Sequence, residues 1–357
     1  MENIRRIHPG VFIKDLLESY KMTSKELSIR TGISERTLSA IINENGRITF
    51  DVAYKLSLFF DTSINYWVIL QAQYDMFIVM QSKQKEIDED WKLVKPIKPY
   101  LLDFGYISSD DTKEEVVNKC RKVCGVNNLT LLKEKDTFVN LKEQHNEIDN
   151  DCFSQNFWIS LALNEARKKN GIPYDKKKLN ESIPVIRKMT RKDPKDFLPR
   201  LEKILSNCGI SFVLLPYLPK SNLYGATKWF SKDNVMLAIS NRGAKADLFW
   251  FSLFHEISHV LMEHRREMLL NSEGNEDDEA DVMAANMLIP EKKWKEFIDK
   301  EKEPSYENIV MFADDIGVLP CIVLGRLNKE KIIPYGKYSR LLNVSYTIKM
   351  VNGTIKG

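Results

Sequence analysis

The strongest constraint on the fold is a polar pattern inside an apolar segment, residues 247–264, which read DLFWFSLFHEISHVLMEH. The flanking residues are those of a buried helix, which has little reason to carry imidazoles and a carboxylate unless something compensates them. His255 and His259 are four residues apart and share one face of a helix, so both rings can reach a single Zn²⁺. Glu256, one step round the helix, can deprotonate a water held by the metal. The segment predicts a catalytic zinc site.

A catalytic zinc site needs a third protein ligand and an open position. Residues 275–290 read NEDDEADVMAANMLIP, and their apolar residues recur at helical spacing, which predicts a second buried helix ending before Pro290. Acidic residues fill its first turn, where most would serve only the helix dipole. Glu279 adjoins the apolar stripe and follows His259 at a distance sufficient for an antiparallel return. We predict Glu279 as the third ligand, with Glu276 in reserve.

Three segments ahead of this pattern are apolar or alternate as strands do. They are Ser211–Pro216, Gly225–Phe230 and Val235–Ile239, with a hairpin turn at Lys232–Asn234. We expect a short antiparallel sheet here. If one strand lies at the edge beside the metal, a peptide substrate could pair with it.

A second pattern, from His8 to about Met80, predicts a bundle of short helices. Thr23-Ser-Lys-Glu26 has the form of a capping box, Gly32 is a natural helix terminator, and Ser34 can cap the next helix. Two helices about a glycine turn form a helix-turn-helix, whose second helix enters the major groove of DNA.

The outward side chains of these helices suit base edges and phosphates. The predicted DNA contacts are Thr23, Ser24, Ser34, Arg36, Thr37, Ser39 and Asn43. Charge gives no support, because residues 1–80 hold nine basic and nine acidic side chains, so their non-specific attraction to phosphate is weak. From the pattern alone, a helical bundle used only for dimerisation remains the alternative.

Composition sets limits rather than a function. The 357 residues exceed the size of a single hydrophobic core, about 250–300 residues, so we expect several domains. Five cysteines, an odd number, indicate the reduced thiols of a cytoplasmic protein. No apolar run approaches the roughly 20 residues that cross a bilayer, so we expect no membrane segment.

The net charge of +3 conceals a strongly basic segment. Residues 167–203 hold thirteen basic and five acidic side chains. Such a surface could add contacts to DNA or hold an acidic partner, but charged runs are more often plain solvated faces.

The residues from His8 to Met76 resemble the helix-turn-helix of HigA-type antitoxins and related Cro/repressor-like regulators. The matching positions are His8-Pro9-Gly10, Lys25-Glu26-Leu27, Gly32-Ile33-Ser34, Ile41-Ile42-Asn43, Trp67 and Leu70-Gln71. The chain departs from the family at Ser24, where Gln is usual, and the shorter side chain could drop a phosphate contact. The resemblance implies double-stranded operator DNA as a partner. It leaves open a toxin partner and a homodimer formed through this domain.

The C-terminal part is similar to the ImmA/IrrE family of zinc metallopeptidases. The matching segments are Tyr224-Gly-Ala-Thr227, Val235–Ser240, Phe249–His259, Glu279-Ala-Asp to Pro290, and Ile316–Leu327. In that family the helix after the HExxH motif, here His255-Glu256-Ile-Ser-His259, supplies the acidic third ligand, and known members cut a helix-turn-helix repressor. Tyr224 and His264 are candidates for stabilising the oxyanion.

We therefore expect a mainly α chain with a small α+β part. Its predicted divisions are a helix-turn-helix domain (1–80), a helical connector (81–152), a basic helical segment (153–206) and a zincin-like domain with a short antiparallel sheet (207–357).

These features predict a DNA-binding transcriptional regulator with a zinc-dependent endopeptidase domain that cleaves a partner repressor or another regulatory protein. The alternative is a HigA-like antitoxin or repressor whose zincin-like domain binds a toxin or effector, or senses zinc, without proteolysis. The complete HExxH motif favours the enzyme, because a binding module has no use for Glu256.

Overall fold

The computed structural model describes residues 7–133, 152–169, 171–263, 276–346, 349–351 and 354–356. Within these ranges the chain is mainly helical with a small three-stranded sheet, so the predicted fold class is confirmed. Contacts divide the chain into two compact units, Met1–Glu89 and Asp90–Gly357.

The first unit is a bundle of short helices followed by a long one. Its helices are α1 (Pro9–Ser19), α2 (Ser24–Thr31), α3 (Glu35–Ile42), α4 (Phe50–Phe59) and most of α5 (Ile64–Val94). Apolar side chains at helical spacing meet in its core. The fully enclosed ones include Ile13, Leu27, Leu38, Ile41 and Trp67.

The ends of α2 and α3 are set by the residues that the sequence indicates. The Thr23 hydroxyl accepts a hydrogen bond from the amide of Glu26 over 3.2 Å, and the Ser34 hydroxyl accepts one from the amide of Thr37 over 3.1 Å. Gly32 follows α2 at φ +67°, a left-handed conformation that costs glycine little. The predicted pair of helices about a glycine turn is confirmed.

Gly10 allows α1 to lie close against α3. A Cβ at this position would stand only 1.9 Å from the carbonyl oxygen of Ile41, so any side chain here would force the two helices apart. His8 caps α1, because its Nδ1 accepts a hydrogen bond from the Gly10 amide over 3.0 Å. The close packing of α1 on α3 therefore explains Gly10, and the capping of α1 explains His8.

The second unit places helices on both faces of a three-stranded sheet. Its helices are α6 (Lys98–Asp103), α7 (Lys113–Cys124), α8 (Cys152–Arg167), α9 (Lys176–Lys188), α10 (Pro194–Asn207), α11 (Ala246–Leu261), α12 (Glu276–Leu288), α13 (Glu291–Lys300), α14 (Tyr306–Ile316) and α15 (Pro320–Lys329). The sheet contains β1 (Ile210–Leu215), β2 (Gly225–Ser231) and β3 (Asn234–Ser240), and a separate pair consists of β4 (Lys349–Val351) and β5 (Thr354–Lys356).

The three-stranded sheet is mixed, which corrects the antiparallel sheet expected from the sequence. Its order is β1-β3-β2, in which β2 and β3 form the predicted hairpin and β1 runs parallel to β3. The cause is the connection 216–224, which carries the chain past the position of β3 before β2 returns along the far edge. As a result, β1 and β2 are the edges of this sheet.

Side chains of the sheet alternate between two cores. Phe212 and Leu214 of β1 join the core that contains α11, whereas Val213 and Leu215 join the core that contains α8. Burial on both faces explains why β1 and β3 read as nearly continuous apolar runs.

Part of the predicted connector packs within the second unit. Asp90, at the end of α5, is fully buried and accepts hydrogen bonds from Nε of Arg121 over 2.7 Å and from the amide of Leu129 over 3.0 Å. The division of the chain into four parts stays a prediction.

No single helix in the described ranges is long and apolar enough to cross a membrane. The pair α14 and α15 passes the same length and composition criteria only when the two helices are taken together, across a bend of 116°.

Candidate functional site

Two histidines of α11 face each other. His255 and His259 lie about one helical turn apart, and their Nε2 atoms are separated by 3.0 Å. Both rings are shielded, with 15% and 5% of their side chains exposed. Trp250 and Phe254 are fully buried on the same helix and anchor α11 in the core. The structure thus brings the two predicted histidines together.

Two aspartates of α12 complete the polar cluster. Asp277 Oδ1 lies 3.4 Å from Nε2 of His259, and Asp281 Oδ1 lies 2.9 Å from Nδ1 of His255. The two aspartates are themselves one turn apart, so α12 presents both of them to α11. Ligand atoms of His255, His259 and Asp277 all lie within 4.8 Å of one another.

The structure does not bring Glu279 into this group. Its side chain is exposed and borders an open groove along α12. Successive residues of a helix turn by about 100°, so Glu279 falls on one flank of the buried stripe of α12, and Asp277 and Asp281 fall on the other. The flank that faces the histidines is the one that carries the aspartates.

Of the other candidates from the sequence, Tyr224 is engaged by an arginine, and the rest lie outside the described residues. The ring of Tyr224 stacks with the guanidinium of Arg242, whose central carbon is 4.5 Å from the ring centre. The side chain of Glu276 and the whole of His264 lie outside the described residues.

The donor set fits a zinc ion. Two ligands of a tetrahedral zinc with bonds of about 2.0–2.1 Å are about 3.3 Å apart. The separations observed here are 3.0 Å between the histidine Nε2 atoms and 3.4 Å between His259 and Asp277. Two imidazoles and one carboxylate are also the donors of known catalytic zinc sites, which keep a fourth position open. Asp281 binds Nδ1 of His255, which fixes this ring and directs its Nε2 lone pair into the group.

The neighbouring carboxylates also govern the charge of His255. Burial on its own lowers the pKa of His255, but the hydrogen bond to Asp281 and the charges of Glu256 and Asp277 outweigh it, so the pKa lies above its ordinary value. When the ring is neutral, the hydrogen bond to Asp281 favours the proton on Nδ1, so Nε2 is the atom that would bind a metal.

Glu256 is held by the sheet. It is only 8% exposed, and its Oε2 accepts a hydrogen bond from the hydroxyl of Thr227 over 2.7 Å. Gly225, two residues before Thr227 on β2, makes room for the Glu256 side chain, because a Cβ there would stand 2.7 Å from Cγ and 2.9 Å from Oε1 of Glu256. Neither Gly225 nor Thr227 was expected at the site from the sequence. The available signal is strand alternation, which places both on the same face as the buried Trp229.

The predicted DNA contacts lie on or beside α2 and α3. Thr23, Ser24, Ser34, Arg36, Ser39 and Asn43 are exposed, and Thr37 is half-buried. Some of these groups are already engaged locally. The hydroxyls of Ser34 and Thr37 are 2.7 Å apart, and Nδ2 of Asn43 donates to the hydroxyl of Ser39 over 3.2 Å. Arg36, near the start of α3, is the charged member of the set.

Comparisons with protein families match both units. A family described as helix-turn-helix matches residues 13–67, and a family described as IrrE N-terminal-like domain matches residues 213–327. The second range contains α11 and α12, which carry the polar cluster, and β2, which contacts Glu256. The chain is a DNA-binding helix-turn-helix regulator with an IrrE-like, peptidase-like domain.

Each of the curated relatives is similar to about a quarter of this chain. The chain is 28% identical over 94 residues to the uncharacterized HTH-type transcriptional regulator YbaQ of Escherichia coli K12, which covers 26% of this chain and 81% of YbaQ. It is 31% identical over 86 residues to virulence-associated protein A' of Dichelobacter nodosus, which covers 24% of this chain and 75% of that protein. Among solved structures, an addiction module antidote protein of the HigA family from Coxiella burnetii is 32% identical. That match covers 24% of this chain and 95% of the other, with a TM-score of 0.23.

Proposed function

We propose that the IrrE-like domain is a zinc-dependent endopeptidase that cleaves a partner repressor or another regulatory protein. The observation that carries the proposal is the buried carboxylate of Glu256, hydrogen-bonded to Thr227 over 2.7 Å, on the same helix as His255 and His259. A pure metal-binding or protein-binding module has no use for a carboxylate held in this way.

The candidate residues have different roles in this proposal. His255, His259 and Asp277 would hold the metal, in place of the Glu279 expected from the sequence, and Asp281 would orient His255. When bound there, zinc polarises a peptide carbonyl and acidifies water. Glu256 accepts the proton of the attacking water and delivers it to the leaving amine, as a general base and then a general acid.

The edge strand β2 offers a place for the substrate. It carries Gly225 and Thr227, both against Glu256, and its outer edge is free of strand partners among the described residues. A peptide that adds to this edge would lie alongside the presumed base. Proline in place of Lys228 should abolish cleavage if the peptide pairs here, and unchanged cleavage would disprove the pairing.

The zinc content of variants decides whether Asp277 or Glu279 is the third ligand. We expect about one zinc per chain in the wild type and in Glu279→Gln, and a loss of zinc in Asp277→Asn and in His259→Ala. Loss of zinc in Glu279→Gln with retention in Asp277→Asn would restore the ligand expected from the sequence. A folded wild type that binds no zinc would remove the metal centre altogether.

Cleavage is tested by co-expression with the helix-turn-helix repressor encoded nearest to this chain. Glu256→Gln should retain zinc but leave the repressor intact, and Asp278→Asn, an exposed change at the start of α12, should cleave it normally. A toxin that binds the domain with no cleavage of any partner would support the antitoxin alternative. A change of DNA affinity on zinc removal, again without cleavage, would support the sensor alternative.

The DNA-reading half of the proposal rests on α3. Arg36 is exposed near its start, where the recognition helix of such domains approaches base edges. A gel shift on the promoter of the chain's own gene should show binding by the wild type. Arg36→Ala should weaken it by about 1–3 kcal/mol. Arg30→Ala, a change in the exposed ion pair of Arg30 with Glu26, serves as a control for charge alone.

We also infer that two copies pair through α5. Tyr66, Ile69, Met76 and Met80 are between 40% and 61% exposed, and their spacing places them along one face of the helix. Two-fold operator sites need two recognition helices, which a second copy supplies. Sedimentation should show a dimer for the wild type and a monomer for Met76→Glu. A monomeric wild type at micromolar concentration would contradict this inference.

A further inference from the structure

Thr227 is joined to Glu256 across the interface between β2 and α11. Its hydroxyl lies 2.7 Å from Oε2 of Glu256 and 3.3 Å from the main-chain oxygen of the same residue. Thr227 is itself 7% exposed, so water does not readily replace it as the partner of this carboxylate. A hydrogen bond to a buried, ionised acceptor is stronger than one between neutral groups.

The second carboxylate oxygen lies over a residue without a side chain. A Cβ on Gly225 would stand 2.9 Å from Oε1 and 2.7 Å from Cγ of Glu256, and 3.0 Å from the carbonyl oxygen of Ala238. Gly225 and Thr227 are two apart on the strand and therefore face the same way. The strand thus supplies a donor for one oxygen and open space beside the other.

From this arrangement we propose that Thr227 is a positioning residue for the presumed general base. It holds Oε2, which leaves Oε1 as the oxygen that accepts the proton from water. The role rests on the proposed peptidase function. Thr227 belongs to the edge strand β2. A peptide that pairs with β2 would therefore be positioned by the same strand that holds the base.

The hydrogen bond can be measured without activity. Unfolding equilibria of the metal-free chain form a double-mutant cycle with Thr227→Val, Glu256→Ala and the double variant. Thr227→Val should raise the unfolding equilibrium constant on the order of tenfold when Glu256 is present and have little effect when it is absent. Equal effects in both backgrounds would overturn the proposal.

Thr190 provides a matched control for the cycle. It is a fully buried threonine of the same unit, and its hydroxyl has no hydrogen-bond partner among the described residues. Thr190→Val should therefore not destabilise the chain, because no hydrogen bond is lost. A loss as large as that of Thr227→Val would mean that the cycle reports hydroxyl removal in general.

Kinetics with a cleaved repressor test the positioning itself. Thr227→Val should retain zinc and KM while kcat falls by at least tenfold, and Thr227→Ser, which keeps the hydroxyl, should restore kcat. A threonine with only a structural role would affect stability without lowering kcat at unchanged KM. Normal kcat in Thr227→Val would therefore overturn the proposal. If the wild type cleaves no partner, the proposed function fails, and the cycle alone decides whether Thr227 holds the carboxylate.

Discussion

The two functional regions of this chain are assembled in different ways. The predicted DNA contacts lie on or beside α2 and α3, so they are close in sequence, and all but Thr37 are exposed. The polar cluster lies on α11 and α12, and Glu256 of α11 is held by β2. These elements meet only through the packing of the second unit. Local spacing is therefore enough to indicate the first surface, whereas the second depends on how distant elements face each other.

Both regions nevertheless use glycine to permit a close approach. Gly10 brings α1 against the carbonyl of Ile41 in the first unit, and Gly225 brings β2 against the side chain of Glu256 in the second. The first contact joins two backbones and affects stability. The second joins a backbone to the side chain proposed as the general base, so we expect it to affect chemistry.

The largest effect should follow from Gly225→Ala. The new Cβ would displace the Glu256 carboxylate, and a misplacement of about 1 Å in a catalytic group can cost on the order of 100-fold in rate. Cleavage of the partner repressor should fall by about this factor. Zinc content, measured in parallel, should remain because no ligand changes.

Gly325→Ala is the control for this substitution. Gly325 lies on α15 in the same domain, and its added Cβ would make only an ordinary contact, 3.8 Å from Oδ2 of Asp247. We expect normal cleavage from this variant. If Gly225→Ala were equally active, the close approach of β2 would have no bearing on chemistry.

Asp281→Asn should weaken the metal centre without removing a ligand. Asp281 binds Nδ1 of His255, and loss of such an outer carboxylate typically costs about 10–100-fold in metal affinity. Competition with a chromophoric chelator would measure the change. Asp278→Asn on the exposed side of the same helix should leave the affinity unaltered, and equal losses in both variants would point to a general effect of charge.

Gly10→Ala should act on stability instead. The Cβ would collide with the backbone of α3, and forcing atoms into a packed core costs about 1–3 kcal/mol. Urea unfolding should show a lower free energy of unfolding for the first unit, together with weaker promoter binding. Gly171→Ala, whose Cβ would meet only the end of the Asn234 side chain at 3.4 Å, should change little.

The contrast between the regions explains which parts of the structure could be predicted. His255, Glu256 and His259 occupy one helix, so the period of the helix alone places them together. The sequence does not identify the third ligand, because acidic residues stand on both flanks of the buried stripe of α12. Which flank faces α11 depends on the rotation of α12 in the fold, and helical spacing does not contain that angle.

The strands show the same limit. The segments of β1, β2 and β3 were recognised from their alternation, but the parallel pairing of β1 with β3 was not. Pairing depends on the path of the connection 216–224, which local preference does not specify. For the same reason, the proximity of Thr227 to Glu256, residues in different elements, was not foreseen.

The smallest predicted effect concerns Asp247, a second carboxylate of α11, whose burial outweighs its hydrogen bonds to backbone amides. Asp247 lies in the first turn, and its buried Oδ1 has no hydrogen-bond partner among the described residues. Burial raises the pKa of Asp247, so its charged form is disfavoured in the folded chain.

The sign of this shift fixes the pH dependence. A folded-state pKa above the unfolded value means that the cost of the charge is absent in acid and develops as the pH rises through the ordinary range of Asp toward the raised pKa. Asp247→Asn should therefore be more stable than the wild type at pH 7, and the difference should shrink toward zero near pH 4. Urea unfolding at both values, with the exposed first-turn change Asp196→Asn as control, would measure it. A variant less stable than the wild type at pH 7 would show that the folded chain stabilises the charged form of Asp247 despite its burial.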